Sequence, residues 1–311
     1  MQKKLAVISL GGHAIQSENL KGSYLFQLEQ VRKACIQFVE LVRKGWQLLI
    51  VHGNGPQIGE MLYHQLCIKA QPLPLDALGA RTQGELGYVI VNELHNAFKS
   101  MSEQNVPPIA ALVTRTVVDD QDIAFSCPDK PIGPYVKEEL IPKYGSWGKQ
   151  FSPDKGWRVT VPSPKPLQVK EAGAIQLLLS EGYHIVAGGG GGIPITEKEG
   201  KVTGLQAVVD KDRIASLLAQ KLRAQLLILL TGVGKVSVNF NRPNQKDLDR
   251  MTVGEALAYL LDGQFGKGSM GPKIESAIDF INNAPGEALI TNIDGLSGAL
   301  QHRAGTWICS A

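Results

Sequence analysis

The chain has 311 residues, enough for one large α/β domain or two lobes. Apolar residues make up 43% and charged residues 20%, with a formal charge of +3 in which both signs are mixed throughout; this is the profile of a soluble globular protein and gives no basis for nucleic-acid binding. No stretch approaches the roughly 20 apolar residues of a membrane span. The basic start at Gln2-Lys3-Lys4 precedes an apolar run too short for a signal peptide, and Gly11-Gly12-His13 offers no cleavage site. The four cysteines, Cys35, Cys67, Cys127 and Cys309, show neither paired nor metal-ligand spacing, so a reduced, cytoplasmic setting is expected.

Residues 5–10 read as a fully buried strand that ends in Gly11-Gly12-His13-Ala14. Apolar residues at helical spacing (Leu25, Leu28, Val31, Cys35, Phe38, Val39, Val42) predict a helix over 24–44, closed by Gly45. A second buried strand over 47–51 breaks at His52-Gly53-Asn54-Gly55-Pro56-Gln57, with a helix from Ile58 onward. A long helix over 76–101 and a short strand over 109–113 follow. Strands without alternation, separated by helices, imply βαβ units and a mostly parallel sheet covered on both faces.

From Val118 to Pro162 the texture changes. Pro128, Pro131, Pro134, Pro142 and Pro153 stand among charges with Trp147 and Trp157, which reads as an inserted subdomain over 118–162 within one domain spanning 1–311. Pro162-Ser163-Pro164-Lys165-Pro166 reads as a stiff return to the main body. Alternation then resumes with a helix over 171–180, a strand over 183–187, a helix over 212–222 and a strand over 225–230. After 236–240 come a helix over 252–261, a loop over 263–273, a helix over 274–282, and strands near 288–291 and 306–309.

The five consecutive glycines Gly188 to Gly192 are the most constrained stretch. Glycine forfeits side-chain packing and loses the most backbone entropy on folding, so such a run fits a place where the backbone approaches something closely, phosphate being the usual candidate. A floppy surface loop is the blander reading; the strand feeding the run and Ile193-Pro194 closing it argue against that. Strand-to-glycine junctions at Gly11, Gly53 and Gly188 are expected to converge on the carboxyl edge of the sheet, where ligands bind. Neither the dinucleotide nor the P-loop fingerprint is present: 53–59 gives G-x-G-x-x-x-G, and Gly266-Lys267 lacks the first glycine of a P-loop. Lys211 between Asp210 and Asp212, Lys273 at the end of GSMGPK, and Lys130 in DKPIGP all lie where glycine or proline fixes the backbone. Lysines converging on a phosphoryl group, organised by Asp212, would meet the needs of phosphoryl transfer, which is mostly positioning and charge neutralisation. His52 reads as a loop brace, since an anionic nucleophile needs no general base.

The motifs GGHAI (11–15), VHGNGPQIG (51–59), TQGELGY (82–88), DKPIGPYV (129–136), GWRVTVPSPKPL (156–167), GGGGIPI (189–195), VVDKD (208–212) and GSMGPK (268–273) resemble carbamate kinases of the amino-acid-kinase superfamily, along the whole chain. The resemblance implies an αβα sandwich around a mainly parallel sheet of about eight strands, a subdomain protruding over the active site, and a homodimer. The implied reaction is reversible transfer between ATP and carbamate, usually from carbamoyl phosphate and ADP toward ATP, in arginine or purine catabolism. By position, Gly11, Gly12, His13, Gly53, Asn54 and Gly55 would cradle phosphate and carbamate. Lys211 and Lys273 would neutralise the moving phosphoryl group, Asp212 would hold both, and Lys130 would reach in from the subdomain. Thr231, Val233, Ser237, Met270 and Gly271 would meet the nucleotide, and Mg²⁺ would ride mainly on the nucleotide phosphates. Three departures stand out: His13 replaces an asparagine, Thr231-Gly232-Val233-Gly234 replaces Thr-Asp-Val-Asp, and Ser237 stands where an aromatic is common. They leave open a non-catalytic protein that binds nucleotide or carbamoyl phosphate as partner of a carbamoyl-transfer enzyme, and a kinase of the same fold acting on another small acid.

Overall fold

The computed structural model of the chain describes residues 4–11, 24–68, 73–101, 105–139, 148–266, 268 and 270–310. An eight-stranded sheet runs in the order Arg250–Thr252, Thr306–Cys309, Glu287–Thr291, Leu226–Leu230, Lys4–Leu10, Trp46–His52, His184–Val186, Ile109–Ala111. Every neighbouring pair is parallel except Glu287–Thr291 with Thr306–Cys309. Successive residues of a strand point to opposite faces, so Val7 and Ile8 enter different cores. On one face Val31, Cys35 and Phe38 of the helix Tyr24–Arg43, with Ile90 and Leu94 of Leu75–Ser100, pack on Ile8, Ile50 and Ile228. On the other, Ile214 and Leu218 of the helix Lys211–Lys221, with Ile274 and Phe280 of Met270–Asn283, pack on Val7, Leu49 and Leu229. The result is the expected three-layer αβα sandwich.

Two helix starts differ from the sequence reading, and both bear on the site. The helix Gly55–Cys67 begins at the second glycine of the Gly53-Asn54-Gly55 corner, with Pro56 in its first turn. The helix Met270–Asn283 begins before Pro272, which places Lys273 in its opening turn instead of at the end of a loop. Proline in a first turn forfeits no hydrogen bond, because that N–H has no partner within the helix.

A second, four-stranded sheet (Lys201–Gly204, Ile193–Lys198, Arg115–Val118, Pro166–Val169) has no counterpart in the sequence reading. Its hairpin turns at Glu199 and Gly200, with φ of 51° and 75°, the left-handed pair that a tight hairpin needs. Pro166 opens an edge strand, a position that tolerates a missing donor.

Within 118–162 lies a three-stranded antiparallel sheet, Lys130–Val136, Gly156–Val161 and Gly148–Ser152; Trp147 lies outside the described residues. Ile132, Val136, Val159 and Val161 bury against Ile58 and Leu62 of the helix Gly55–Cys67. The closest approach is backbone on backbone: a Cβ on Gly59 would stand 1.9 Å from the Gly133 Cα. Gly133 itself has φ +68°. Gly59→Ala is therefore expected to lever this sheet off the helix, at about 1–3 kcal/mol for overpacking. Hydrogen exchange should speed up in 130–161 while the central strands keep their protection; unchanged exchange in both regions would contradict this docking.

Candidate active site

Four neighbouring strands of the main sheet end at one cavity of about 260 Å³. Leu226–Leu230 delivers Thr231 and Gly232, Lys4–Leu10 delivers Gly11, Trp46–His52 delivers Gly53 to Gly55, and His184–Val186 leads to Gly190. Asp210, Lys211 and Asp212 enter from the start of one helix, Pro272 and Lys273 from another, and Lys130 and Arg158 from the inserted sheet. Among the described residues the helix Gly55–Cys67 has no side-chain cap, and the positive pole of its start stands at the cavity.

Asp212 is the hub. Its Oδ2 accepts from Lys273 Nζ at 2.9 Å and Lys211 Nζ at 3.1 Å, and its Oδ1 from Ser9 Oγ at 2.5 Å and Lys273 Nζ at 3.2 Å. Ser9 lies on the strand Lys4–Leu10, so the hub is pinned to the middle of the sheet edge. The helix carrying Asp212 starts where it does because Asp210 caps it: the Asp210 Oδ1 accepts from the Asp212 N–H at 2.8 Å. The other oxygen of Asp210 takes Lys130.

Burial opposes ionisation of both aspartates, but Lys211 and Lys273 hold the Asp212 carboxyl below its usual range, and Lys130 and Lys211 hold Asp210 well below. The lysines divide. Burial is outweighed at Lys211 by Asp212 and Asp210, and its pKa is raised. At Lys273 burial prevails, helped by the Lys211 charge, and the pKa falls to about 8. If the ammonium at 273 carries the charge that catalysis needs, kcat/KM should fall as pH rises through about 8, because that ratio reports ionisations of the free enzyme. Stability takes the opposite sign: between about 8 and 10.5 the unfolded chain holds the extra proton, so this group's contribution rises with pH. A kcat/KM profile flat to pH 10 would contradict the assignment.

The glycine run serves a different purpose from the one expected. Gly188 does not reach the cavity; an added Cβ would strike Ile214 Cγ2 at 2.8 Å. Cβ atoms at 189, 190, 191 and 192 would lie 2.0–2.2 Å from His52 Nε2, Asn54 Nδ2, Val209 O and Thr116 Oγ1 respectively. Only Gly190 of the run lines the cavity. The run is bare mainly so that protein can close on it. Gln83 holds it from below, with Nε2 donating to Gly189 O at 3.0 Å and to Thr114 O at 3.1 Å, while Thr114 Oγ1 accepts from the Gly188 N–H at 2.7 Å. His52 is buried beneath Gly189 and burial lowers its pKa to about 4, so it is a neutral brace, as read from the sequence. The Asn54 amide donates to Thr82 Oγ1 at 2.8 Å, so that side chain braces the corner.

Of the residues singled out in the sequence, Lys130, Lys211, Asp212, Lys273, Gly11, Gly53, Asn54, Gly55 and Thr231 meet here. Val233, Ser237, Met270 and Gly271 are not in the lining: Ser237 Oγ donates to Asp247 Oδ1 at 2.7 Å within a hairpin, and the Gly271 N–H goes to Gly266 O at 2.9 Å. Gly12 and His13 lie outside the described residues. Ser9 and Arg158 were missed; Asp210 was read as a carboxylate flanking Lys211, and the structure adds its helix cap and its pairing with Lys130. A polar residue near the end of an otherwise apolar strand was the available signal for Ser9.

The Amino acid kinase family model matches residues 4–292. A carbamate kinase of Latilactobacillus sakei is 41% identical over 99% of this chain and 99% of its own length. The chain belongs to the carbamate kinases of the amino acid kinase family. Among solved structures, a carbamate kinase from Giardia lamblia bound to AMP-PNP superimposes with a TM-score of 0.90 at 34% identity, covering 99% of both chains. The same Giardia protein bound to citric acid gives 0.92 at 33% identity, again over 99% of both. Membership of this carbamate kinase family makes the chain a phosphotransferase by descent, and no similarity found supports the reading as a non-catalytic partner.

Proposed function

We propose that the chain moves a phosphoryl group reversibly between carbamoyl phosphate and ADP, giving ATP and carbamate. The observation that carries this is the pair of ammonium groups, Lys211 and Lys273, held on one carboxylate at the rim where Gly11 and the Gly53–Gly55 corner open. A terminal β-phosphate oxygen of ADP attacks phosphorus as the bond from phosphorus to the carbamate oxygen breaks, and the electron pair leaves with carbamate. The attacking oxygen is already anionic, so no base is required. The two lysines neutralise the charge on the phosphoryl oxygens in transit, and Asp212 keeps them apart and aimed.

Nucleotide binding is supported by the AMP-PNP complex of the Giardia relative, and room for a carboxylate anion by its citric acid complex. Mg²⁺ would enter with the nucleotide, held mainly by its phosphates, and would supply further charge neutralisation there. Asp210 and Asp212 are committed to lysines, to Ser9 and to a helix cap, and among the described residues no His, Cys, Asp and Glu group is arranged to hold a metal. The loss of carboxylates at 232 and 234 is not forced by crowding: a Cβ at Gly232 meets nothing within 4 Å. In this reading the inserted sheet is a lid that brings Lys130 to the phosphates. A homodimer is supported by exposed Tyr88 and Val113 beside the edge strand Ile109–Ala111. A cytoplasmic setting is supported by four free thiols, and among the described residues no helix is long and apolar enough to cross a membrane.

The test is ATP production from carbamoyl phosphate and ADP, coupled to hexokinase. Sustained turnover dependent on both substrates is expected. Binding of ADP without turnover would remove the proposal.

A further inference from the structure

Four side-chain cations line the cavity, and three of them have carboxylate partners. Lys211 and Lys273 share Asp212, and Lys130 is paired with Asp210. Arg158 has no carboxylate partner among the described residues, although it stands in the same lining. Its orientation is nonetheless fixed. Nε donates to Gly133 O at 2.8 Å, and the guanidinium carbon lies 5.4 Å from the centroid of the Tyr135 ring. Only Nε of its donors has a protein acceptor among the described residues, which leaves the terminal nitrogens for something else.

The frame that holds Arg158 also tells which end of the cavity it serves. Gly133, its anchor, touches Gly59 in the helix that begins at Gly55. Arg158 therefore hangs beside the corner that follows the strand Trp46–His52. Thr231 and Gly232 follow Leu226–Leu230, on the other side of Lys4–Leu10. At roughly 4.8 Å per strand, these two ends are about 10 Å apart, with the Asp212 hub pinned by Ser9 between them.

We propose that Arg158 binds the acid half of the acyl phosphate and takes up the negative charge that develops on the departing carboxylate. This rests on the phosphoryl-transfer reading above and deepens it: the lysines answer the charge on phosphorus, and Arg158 adds a full positive charge beside the Gly53–Gly55 corner for the leaving group. Carbamoyl phosphate has a neutral carbonyl where carbamate has a full carboxylate, so the interaction strengthens as the P–O bond breaks. A planar guanidinium fork matches two carboxylate oxygens, and an ammonium does not. The contact through Gly133 also ties acid binding to the seating of the inserted sheet on the helix Gly55–Cys67.

The test compares Arg158→Lys and Arg158→Ala with the wild type, with melting temperatures as the folding control. Should loss of the bond to Gly133 unfold Arg158→Ala, Arg158→Lys carries the comparison. In ATP formation, kcat/KM for carbamoyl phosphate is expected to fall about 10- to 100-fold while KM for ADP stays within twofold. Millimolar guanidinium should restore part of the rate in Arg158→Ala and none in Lys273→Ala. A second arm uses phosphonoacetate, which carries a carboxylate beside a phosphonate and does not react. Calorimetric affinity should drop about tenfold in either variant, with ADP affinity unchanged. That arm separates the two claims, since absent turnover in the wild type would sink the kinase reading while the binding comparison still decides Arg158. Unchanged kcat/KM, an equal rise in KM for ADP, or equal phosphonoacetate affinity in wild type and variants would overturn the proposal.

Discussion

Lys273→Ala is expected to lower kcat for ATP formation by about a thousandfold or more, the scale seen when one preorganised charge or donor is taken from a transition state. Lys273 is buried, it stands in the first turn of Met270–Asn283, and both Asp212 oxygens fix its ammonium. A charge held that rigidly in a site of low dielectric needs no reorganisation at the moment of transfer. Without it, Lys211 is the one lysine left on the Asp212 hub among the described residues. The fold should survive, because Asp212 keeps Lys211 and Ser9 as partners; a stability loss of about 1–3 kcal/mol is expected for the missing bonds. Steady-state rates beside urea melts make the check. A variant within tenfold of wild-type turnover would show that the Lys273 charge is not part of the chemistry.

Asp212→Ala should do more damage, and of a different kind. It leaves the ammonium groups of Lys211 and Lys273 buried together with no shared counter-charge, and it strips Ser9 of its acceptor. Removing one partner from a buried ionic cluster destabilises by about 3–5 kcal/mol. Lys273, already at about 8, should fall further and lose its proton near neutral pH. Catalysis should drop at least as far as in Lys273→Ala. The distinguishing readout is rescue of stability: sulfate or phosphate should raise the variant's urea midpoint well beyond its effect on the wild type, because an anion can take the empty place between the lysines. Equal salt responses in the two proteins would contradict the hub.

Much of the frame was legible in the sequence because it rests on apolar runs. Residues 226–230 are apolar without interruption because helices cover both faces of that strand, and 24–44 shows a clean helical stripe because one side of that helix meets the sheet. The antiparallel pieces were not legible. The strand Lys201–Gly204 is exposed along its length, so no alternation marks it, and its pairing with Ile193–Lys198 depends on one left-handed turn. Lys211, Asp212 and Lys273 could be picked out by their neighbours, but the start of Met270–Asn283 before Pro272 could not, since the apolar stripe that marks the helix begins only at Ile274. Five adjacent glycines suggested a ligand; the structure uses most of them to admit His52, Asn54, Val209 and Thr116. Arg158 lies inside GWRVTVPSPKPL, where nothing local marks it out. Its meaning depends on Gly133 meeting Gly59, a contact between distant segments that no local pattern announces.

The most direct measurement is a crystal structure with ADP and aluminium fluoride, whose planar fluoride mimics phosphorus midway between donor and acceptor. The expected result is fluoride in the cavity beside Gly11, with both the Lys211 and Lys273 Nζ atoms within hydrogen-bond distance of its equatorial atoms and Asp212 still between them. A mimic bound elsewhere, or one that leaves either ammonium turned away, would contradict the claim that these two lysines hold the phosphoryl group in flight.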